Sequence, residues 1–201
     1  MSGAWLNCAM RVSREQAAAN RERIIDAAAA LFRAKGFDGI GVADIMRAAA
    51  LTHGGFYGHF SSKDDLVAQA SRRAMANAAA KWGKIAAEAP DKPYAALLEN
   101  YLSVRHRDDP GRGCAFVALS GDAARCGNEV RETFAEGVEA LIEILTEAVP
   151  GRSKAVRRRK AVAAVASLVG ALTLARAVAD KALSNEILDA ARHELLAAAA
   201  R

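Results

Sequence analysis

Residues 41–60 read GVADIMRAAALTHGGFYGHF, and the spacing of their apolar residues decides how the chain folds. Val42, Ile45, Met46 and Ala49 recur at i, i+3, i+4 and i+7, so they line one face of a two-turn helix. Ala50 and Leu51 leave room only for a tight turn. Thr52 is placed to cap a second short helix, its hydroxyl accepting from a backbone N–H two or three residues on. There Phe56 and Phe60, four apart, fix an inner face, while His53 and Tyr57 point outward among Gly54, Gly55 and Gly58. Two short helices joined by a tight turn, the second displaying polar and aromatic groups among glycines, read as a helix-turn-helix. Each glycine costs a helix interior roughly 0.5–1 kcal/mol relative to Ala. A surface that must approach a phosphate backbone closely supplies a reason for them. An ordinary helical hairpin with solvated His53 and Tyr57 is the plainer alternative.

Outward from this stretch the pattern stays helical. The 201 residues are 52% hydrophobic but only 5% aromatic, with four prolines, which predicts an Ala-rich aliphatic interior and an all-α fold. A first long helix is expected from Ser13 or Asn20 to Lys35, with Ile24, Ile25, Ala28, Leu31 and Phe32 inward and Gly36 ending it. After Phe60, Ser62 and Asp65 form a capping-box-like start. Lys63 in that first turn, beside free backbone N–H groups, is a candidate phosphate clamp. That helix runs to about Ala87 and is long enough to carry movement between domains. Pro93 then opens a helix with Tyr94, Leu97, Leu98, Tyr101 and Leu102 inward and Arg105-His106-Arg107 at its end. The stretch from Asp108 to Gly113 is a loop. Cys114 starts a short helix that breaks near Gly127, Asn128 caps an amphipathic helix ending at Pro150-Gly151, and Ser184 caps the last helix. Ala161 to Ala175 is apolar nearly all round and must be buried on more than one side, which suggests a subunit interface.

The net charge of +5 and pI near 9.3 suit a polyanionic partner. Eight basic residues against five acidic ones between Met1 and Lys63 place +3 of that charge at the front. Cys8, Cys114 and Cys126 are odd in number and lack C-x-x-C pairing, so neither a disulfide framework nor a zinc site is indicated. His53, His59, His106 and His193 are scattered. No phosphate loop, H-E-x-x-H or Ser/His/Asp grouping is present, so no enzyme, cofactor or metal is expected. The apolar patch in MSGAWLNCAMRVSR is too short and interrupted for a signal peptide, and Ala161–Ala175 falls short of the ~20 residues a bilayer requires. A cytoplasmic protein with no membrane partner is the expectation.

Arg21 to Leu66 resembles the DNA-binding domain of the TetR/AcrR family of transcriptional regulators. The resemblance lies in Ile25, Ala28 to Phe32, Gly36-Phe37, Val42-Ala43-Asp44-Ile45, Thr52, Gly54, Tyr57, His59-Phe60, Ser62-Lys63-Asp64 and Leu66. Two positions depart from it: Ile40 stands where the family usually has Thr, and Ala50 where it usually has a turn Gly. The string His106-Arg107-Asp108, Pro110-Gly111, Gly113-Cys114 is similar to one branch of these regulators. The resemblance implies a three-helix DNA-binding domain followed by a helical ligand-binding and dimerisation domain, about nine helices in all. The expected division is a disordered arm at 1–12, DNA binding at 13–66, and effector binding and dimerisation at 67–201.

Function would then be that of a homodimeric repressor released from a near-palindromic double-stranded operator by an unidentified small molecule. Thr52, His53, Gly54, Gly55 and Tyr57 would present the major-groove surface, with Tyr57, His59 and Lys63 holding phosphates. Trp82, Tyr101, Phe116, Phe134 and Leu172 are candidates for an effector pocket. A different class of reading makes the chain a redox or electrophile sensor acting through Cys114 or Cys126. A non-specific DNA-compacting protein is a third, against which the glycine-lined helix and modest charge argue.

Overall fold

Gly36 adopts φ +75° and stops the first helix, α1 (Arg14–Lys35), where the sequence predicts a stop. A Cβ there would also lie 2.8 Å from the Asp122 carboxylate, so the left-handed turn and a close approach both call for glycine. The computed structural model describes residues 14–200; the arm expected over residues 1–12, with Cys8, lies outside the described residues. Among the described residues the chain is all-α, with no strand. After α1 come α2 (Val42–Ala48), a 3-10 turn (His53–Gly58), α3 (Lys63–Glu88), α4 (Pro93–Tyr101) and α5 (Val104–Asp108). A second 3-10 turn (Pro110–Arg112) leads into α6 (Ala115–Ala123), α7 (Asn128–Ala148), α8 (Lys154–Ala177) and α9 (Lys181–Ala200).

The first three helices share a core of Ile24, Phe32, Ile45, Met46, Phe56 and Leu66, each at most 1% exposed. Ile40 is also buried, so the residue that replaces the family's Thr packs inward. Ala50 takes φ +53°, the left-handed conformation that costs an L-residue roughly 1–2 kcal/mol. The turn geometry that favours Gly is therefore kept although the Gly is not. Behind this unit, α3 packs on α7 and α4, and α8 lies against α7, α9 and α6. Among the described residues α8 is the one helix long and apolar enough, by length and composition, to cross a membrane. Here its Ala161, Ala164, Val165, Leu168 and Leu172 are buried against those neighbours, as in a core helix.

Several expected boundaries are corrected. Tyr101 and Leu102 end α4, and Ser103 caps a separate α5 by accepting from the His106 N–H at 3.2 Å, so the helix opened by Pro93 stops before its charged end. Gly127, not Asn128, is the cap of α7. Asp180 caps α9 by accepting from the N–H of Ala182 at 2.8 Å, whereas Ser184 is buried one turn inside and donates to the Ala175 carbonyl at 2.6 Å. Ser62 does cap α3, accepting from the Asp65 N–H at 3.0 Å, but the Asp65 carboxylate in return accepts from the N–H and hydroxyl of Ser61 rather than from Ser62.

Candidate DNA-reading surface and effector cleft

Residues 53–58 form a 3-10 turn rather than a turn of α-helix, with three of six residues glycine. Phe56 is fully buried and stacks on Phe60 at 5.5 Å, anchoring the turn from inside. Tyr57 stands 75% exposed, edge-on to Phe56. Thr52, His53 and Gly54 are exposed with it, Gly55 and His59 less so, and Lys63 follows as the first residue of α3. Thr52 precedes the turn but its hydroxyl accepts no capping bond, contrary to the expectation, which leaves that group unspent at the surface. A Cβ added at Gly54 or Gly58 would meet nothing within 4 Å. The turn therefore offers a low, side-chain-poor rim beside one protruding aromatic, a shape that a phosphate backbone can approach closely.

A cleft of about 170 Å³ lies between α3, α4, the Arg112–Cys114 segment and the last turn of α1. Trp82, Tyr101, Cys114 and Leu141 form its buried floor, with Trp82 and Tyr101 edge to face at 5.5 Å. Lys81, Asn77, Asn100 and Arg112 stand at its exposed mouth. Arg33 reaches in from α1, its Nε donating to the Gly111 carbonyl at 2.9 Å. His106 spends both ring nitrogens. Nδ1 lies 2.8 Å from the Tyr101 carbonyl, which can only accept, and Nε2 accepts from the Cys114 N–H at 3.1 Å. That pair fixes the neutral tautomer with the proton on Nδ1. Burial, with Arg176 and Lys81 nearby, holds His106 below the ordinary histidine range, although the bond to Tyr101 opposes this. The Tyr101 hydroxyl is buried beside the Cys114 thiol yet has no hydrogen-bond partner of normal geometry. Burial, and then Cys114, push its pKa well above that of a free tyrosine, so it stays a donor.

Comparison with known proteins bears on the front of the chain first. The family described as "Bacterial regulatory proteins, tetR family" matches residues 24–70, which hold the whole helix-turn-helix. The helix-turn-helix of this chain is of the TetR type. The HTH-type transcriptional regulator AcrR of Shigella flexneri is 29% identical over 94 residues. That stretch is 47% of this chain and 44% of AcrR, so the chain spans under half the length of this curated relative. The crystal structure of E. coli NemR in its reduced form has a TM-score of 0.74 at 20% identity, covering 88% of this chain and 95% of NemR. A TetR-family regulator from Cytophaga hutchinsonii also gives 0.74, at 21% identity, over 90% of this chain and 96% of that one. At these identities the likeness is one of fold, and it extends through the helices after α3.

Within this TetR-family fold the expected pocket residues separate. Trp82 and Tyr101 line the cleft, and so does Cys114. Phe116 and Phe134 instead pair edge to face at 5.8 Å in the core between α6 and α7, and Leu172 is fully buried on α8. All three fill the interior because the cleft opens on the α3–α4 side. Cys126 is half-buried near Asp122, Asp64 and Asp38; burial and then these charges raise its thiol pKa. Arg33, Lys81, His106 and Arg112 were not among the expected site residues. The charges of Arg33, Lys81 and Arg112 are spread over 80 positions of sequence, and the loop after Asp108 is what brings Arg33 to the others.

Proposed function

We propose that this chain is a homodimeric DNA-binding transcriptional repressor that a small molecule releases from a near-palindromic operator. The observation that carries the reading is the surface of residues 52–58: Tyr57 exposed, His53 and Gly54 beside it, and Phe56 locked beneath. Thr52, His53, Gly54 and Gly55 would face the major groove; Tyr57, His59 and Lys63 would hold phosphates. Fluorescence anisotropy on DNA from upstream of its own gene tests this. Tyr57→Ala is expected to weaken binding about equally across sequences while helicity is unchanged. Unaltered affinity would reject the assignment.

Dimerisation fits the apolar side chains left at the surface of α8 and α9. Val162, Leu174 and Leu183 are 46%, 57% and 43% exposed in the single chain. Paired α8 and α9 helices from two copies would bury them as a four-helix bundle, the family's mode of assembly. Val169→Glu, which places a charge on that seam, is expected to give monomers or aggregates in sedimentation. A two-fold dimer in turn calls for half-sites about 34–36 Å apart or a multiple of it. Release requires the effector to bind the DNA-incompetent state more tightly. A coupling of about 1–3 kcal/mol would shift operator affinity roughly 5- to 150-fold, and operator would weaken effector binding by the same factor.

A second reading, a thiol sensor, is favoured by one observation: Cys114 lines the cleft at the start of α6, with Arg33 and Arg176 near it. Cys126, surrounded by acids, is the poorer candidate. Oxidation would then release DNA from the wild type and not from Cys114→Ser. A Cys114→Ser protein that still responds to oxidant would reject this reading.

A further inference from the structure

We infer that the cleft beneath Arg33 binds a small carboxylate with an apolar body, and that Arg33 and Lys81 take its charge. The inference rests on the effector-responsive reading above and names the chemistry of the effector. Among the described residues no acid lines the cleft, whereas Arg33, Lys81 and Arg112 do. Arg112 is already occupied by Asp109, its Nε 2.8 Å from the carboxylate. Arg33 and Lys81 form no ion pair with any described residue. Of the five donors of the Arg33 guanidinium, only Nε is engaged, with Gly111. Four N–H groups thus remain on a half-buried planar cation, the arrangement that a carboxylate fills in two-pronged fashion.

The second observation is independent of charge. The Tyr101 hydroxyl is a buried donor that has only the Cys114 sulfur, a weak acceptor, beside it and no hydrogen bond of normal geometry, and an ill-paired buried polar group is costly to the fold. A ligand oxygen would supply its partner. His106 cannot, because both of its nitrogens are spent on backbone groups. The rest of the floor is apolar: Trp82, Leu141, Ala74 and Ala78. At about 170 Å³ the space is close to the ~150 Å³ of an engineered cavity that accepts benzene. It suits a benzoate-sized molecule rather than a long acyl chain. Arg33 belongs to α1 of the DNA-binding unit and Lys81 to the distal half of α3. An anion gripping both pulls on the joint between the two parts of the protein, which is where an effector must act to change the spacing of the reading surfaces.

Benzoate and hexanoate, with benzamide as a neutral counterpart of benzoate, are the probes. In a Trp5→Phe background Trp82 is the sole tryptophan, and its fluorescence reports occupancy. Saturable quenching by a carboxylate, with benzamide roughly ten-fold weaker or worse, is expected. Lys81→Gln, at an exposed position with no ion pair, should weaken carboxylate binding several-fold with an unchanged melting temperature. Arg33→Gln should weaken it about ten-fold or more. If neither carboxylate quenches at millimolar concentration, or benzamide binds as well as benzoate, the inference is overturned. Operator binding, measured on the same proteins without probe, is a separate readout. Loss of DNA binding by the wild type would overturn the repressor reading while leaving carboxylate binding intact.

Discussion

At Gly54 and Gly58 an added methyl group would meet nothing within 4 Å, whereas at Gly113 it would come 2.6 Å from the Arg176 guanidinium and 3.0 Å from the Asp109 carbonyl. Both regions are built on a 3-10 turn with glycine in or beside it, and they use it in opposite senses. In the 53–58 turn the missing side chains leave space on the outside, which nothing in the chain itself exploits. In the 110–114 turn the missing side chain lets Arg176 reach across and donate to the carbonyls of His106 and Arg107. The first region is held from beneath by one aromatic anchor. The second is held by a mesh of polar bonds around His106. The contrast is between Gly113 and the pair Gly54 and Gly58, since Gly111 of the second turn also meets nothing within 4 Å.

The largest effect is expected where the first region has a single support. Phe56→Ala should cost roughly 3–5 kcal/mol, a large share of the ~5–15 kcal/mol that holds a domain. A denaturant midpoint that does not move would show that the turn is anchored by something else. His106→Leu probes the mesh of the second region. It leaves the Cys114 N–H and the Tyr101 carbonyl unpaired, at roughly 1–3 kcal/mol for each buried group.

The same residue gives that region a pH dependence. The folded protein holds His106 neutral below the point where a free histidine charges, so the unfolded chain binds the extra proton first. Stability is therefore fully present above pH 6.5 and falls as the pH drops below it toward the lowered folded value. Chemical denaturation at a series of pH values should show this loss in the wild type and a shallower slope in His106→Leu. The paired glycine substitutions have the smallest effects. Gly113→Ala should cost about 1–3 kcal/mol through overpacking, because the Asp109 carbonyl is backbone and cannot swing away. Gly58→Ala should change stability by less than about 0.5 kcal/mol while weakening operator affinity. Equal thermal shifts in the two variants would erase the contrast.

Legibility in the sequence followed the range of the interactions involved. The helix-turn-helix is local: Ile45, Met46, Phe56 and Phe60 lie within 16 positions, and their spacing alone places them inside. The departure from the usual Gly at Ala50 suggests a slightly different turn, whereas the left-handed geometry is kept and the cost falls on Ala50. Tyr57 was readable as exposed because its four-residue partner pattern put Phe56 and Phe60 on the other face. The cleft is not local. Arg33 meets Gly111 across 78 positions, and no periodicity in α1 distinguishes a cation that turns toward a later loop from one facing water. Large buried aromatics were a poor guide to the cleft for the same reason. Phe116 and Phe134 find each other, while the wall is made by smaller and charged residues. Ser184 was misplaced because a serine near a helix start looks the same whether it caps the helix or donates sideways to its neighbour.

The clamp of Arg73 on Glu22 and Asp26, with Arg21 resting on Phe60 and bonded to Gln69, joins the first part of α3 to α1. One residue before Arg73, Arg72 bonds Thr133 of α7 at 3.1 Å, and farther along the same helix Trp82 belongs to the floor of the cleft. One uninterrupted helix is therefore shared by two bodies, and it works mechanically as an axle rather than a tether. The bonds of Arg33 to Gly111 and of the Phe37 N–H to Asp122 brace the reading head further. If an effector acts as proposed, a head mounted this way would turn with α3 between Arg73 and Trp82, and in a symmetric pair the two heads would turn together.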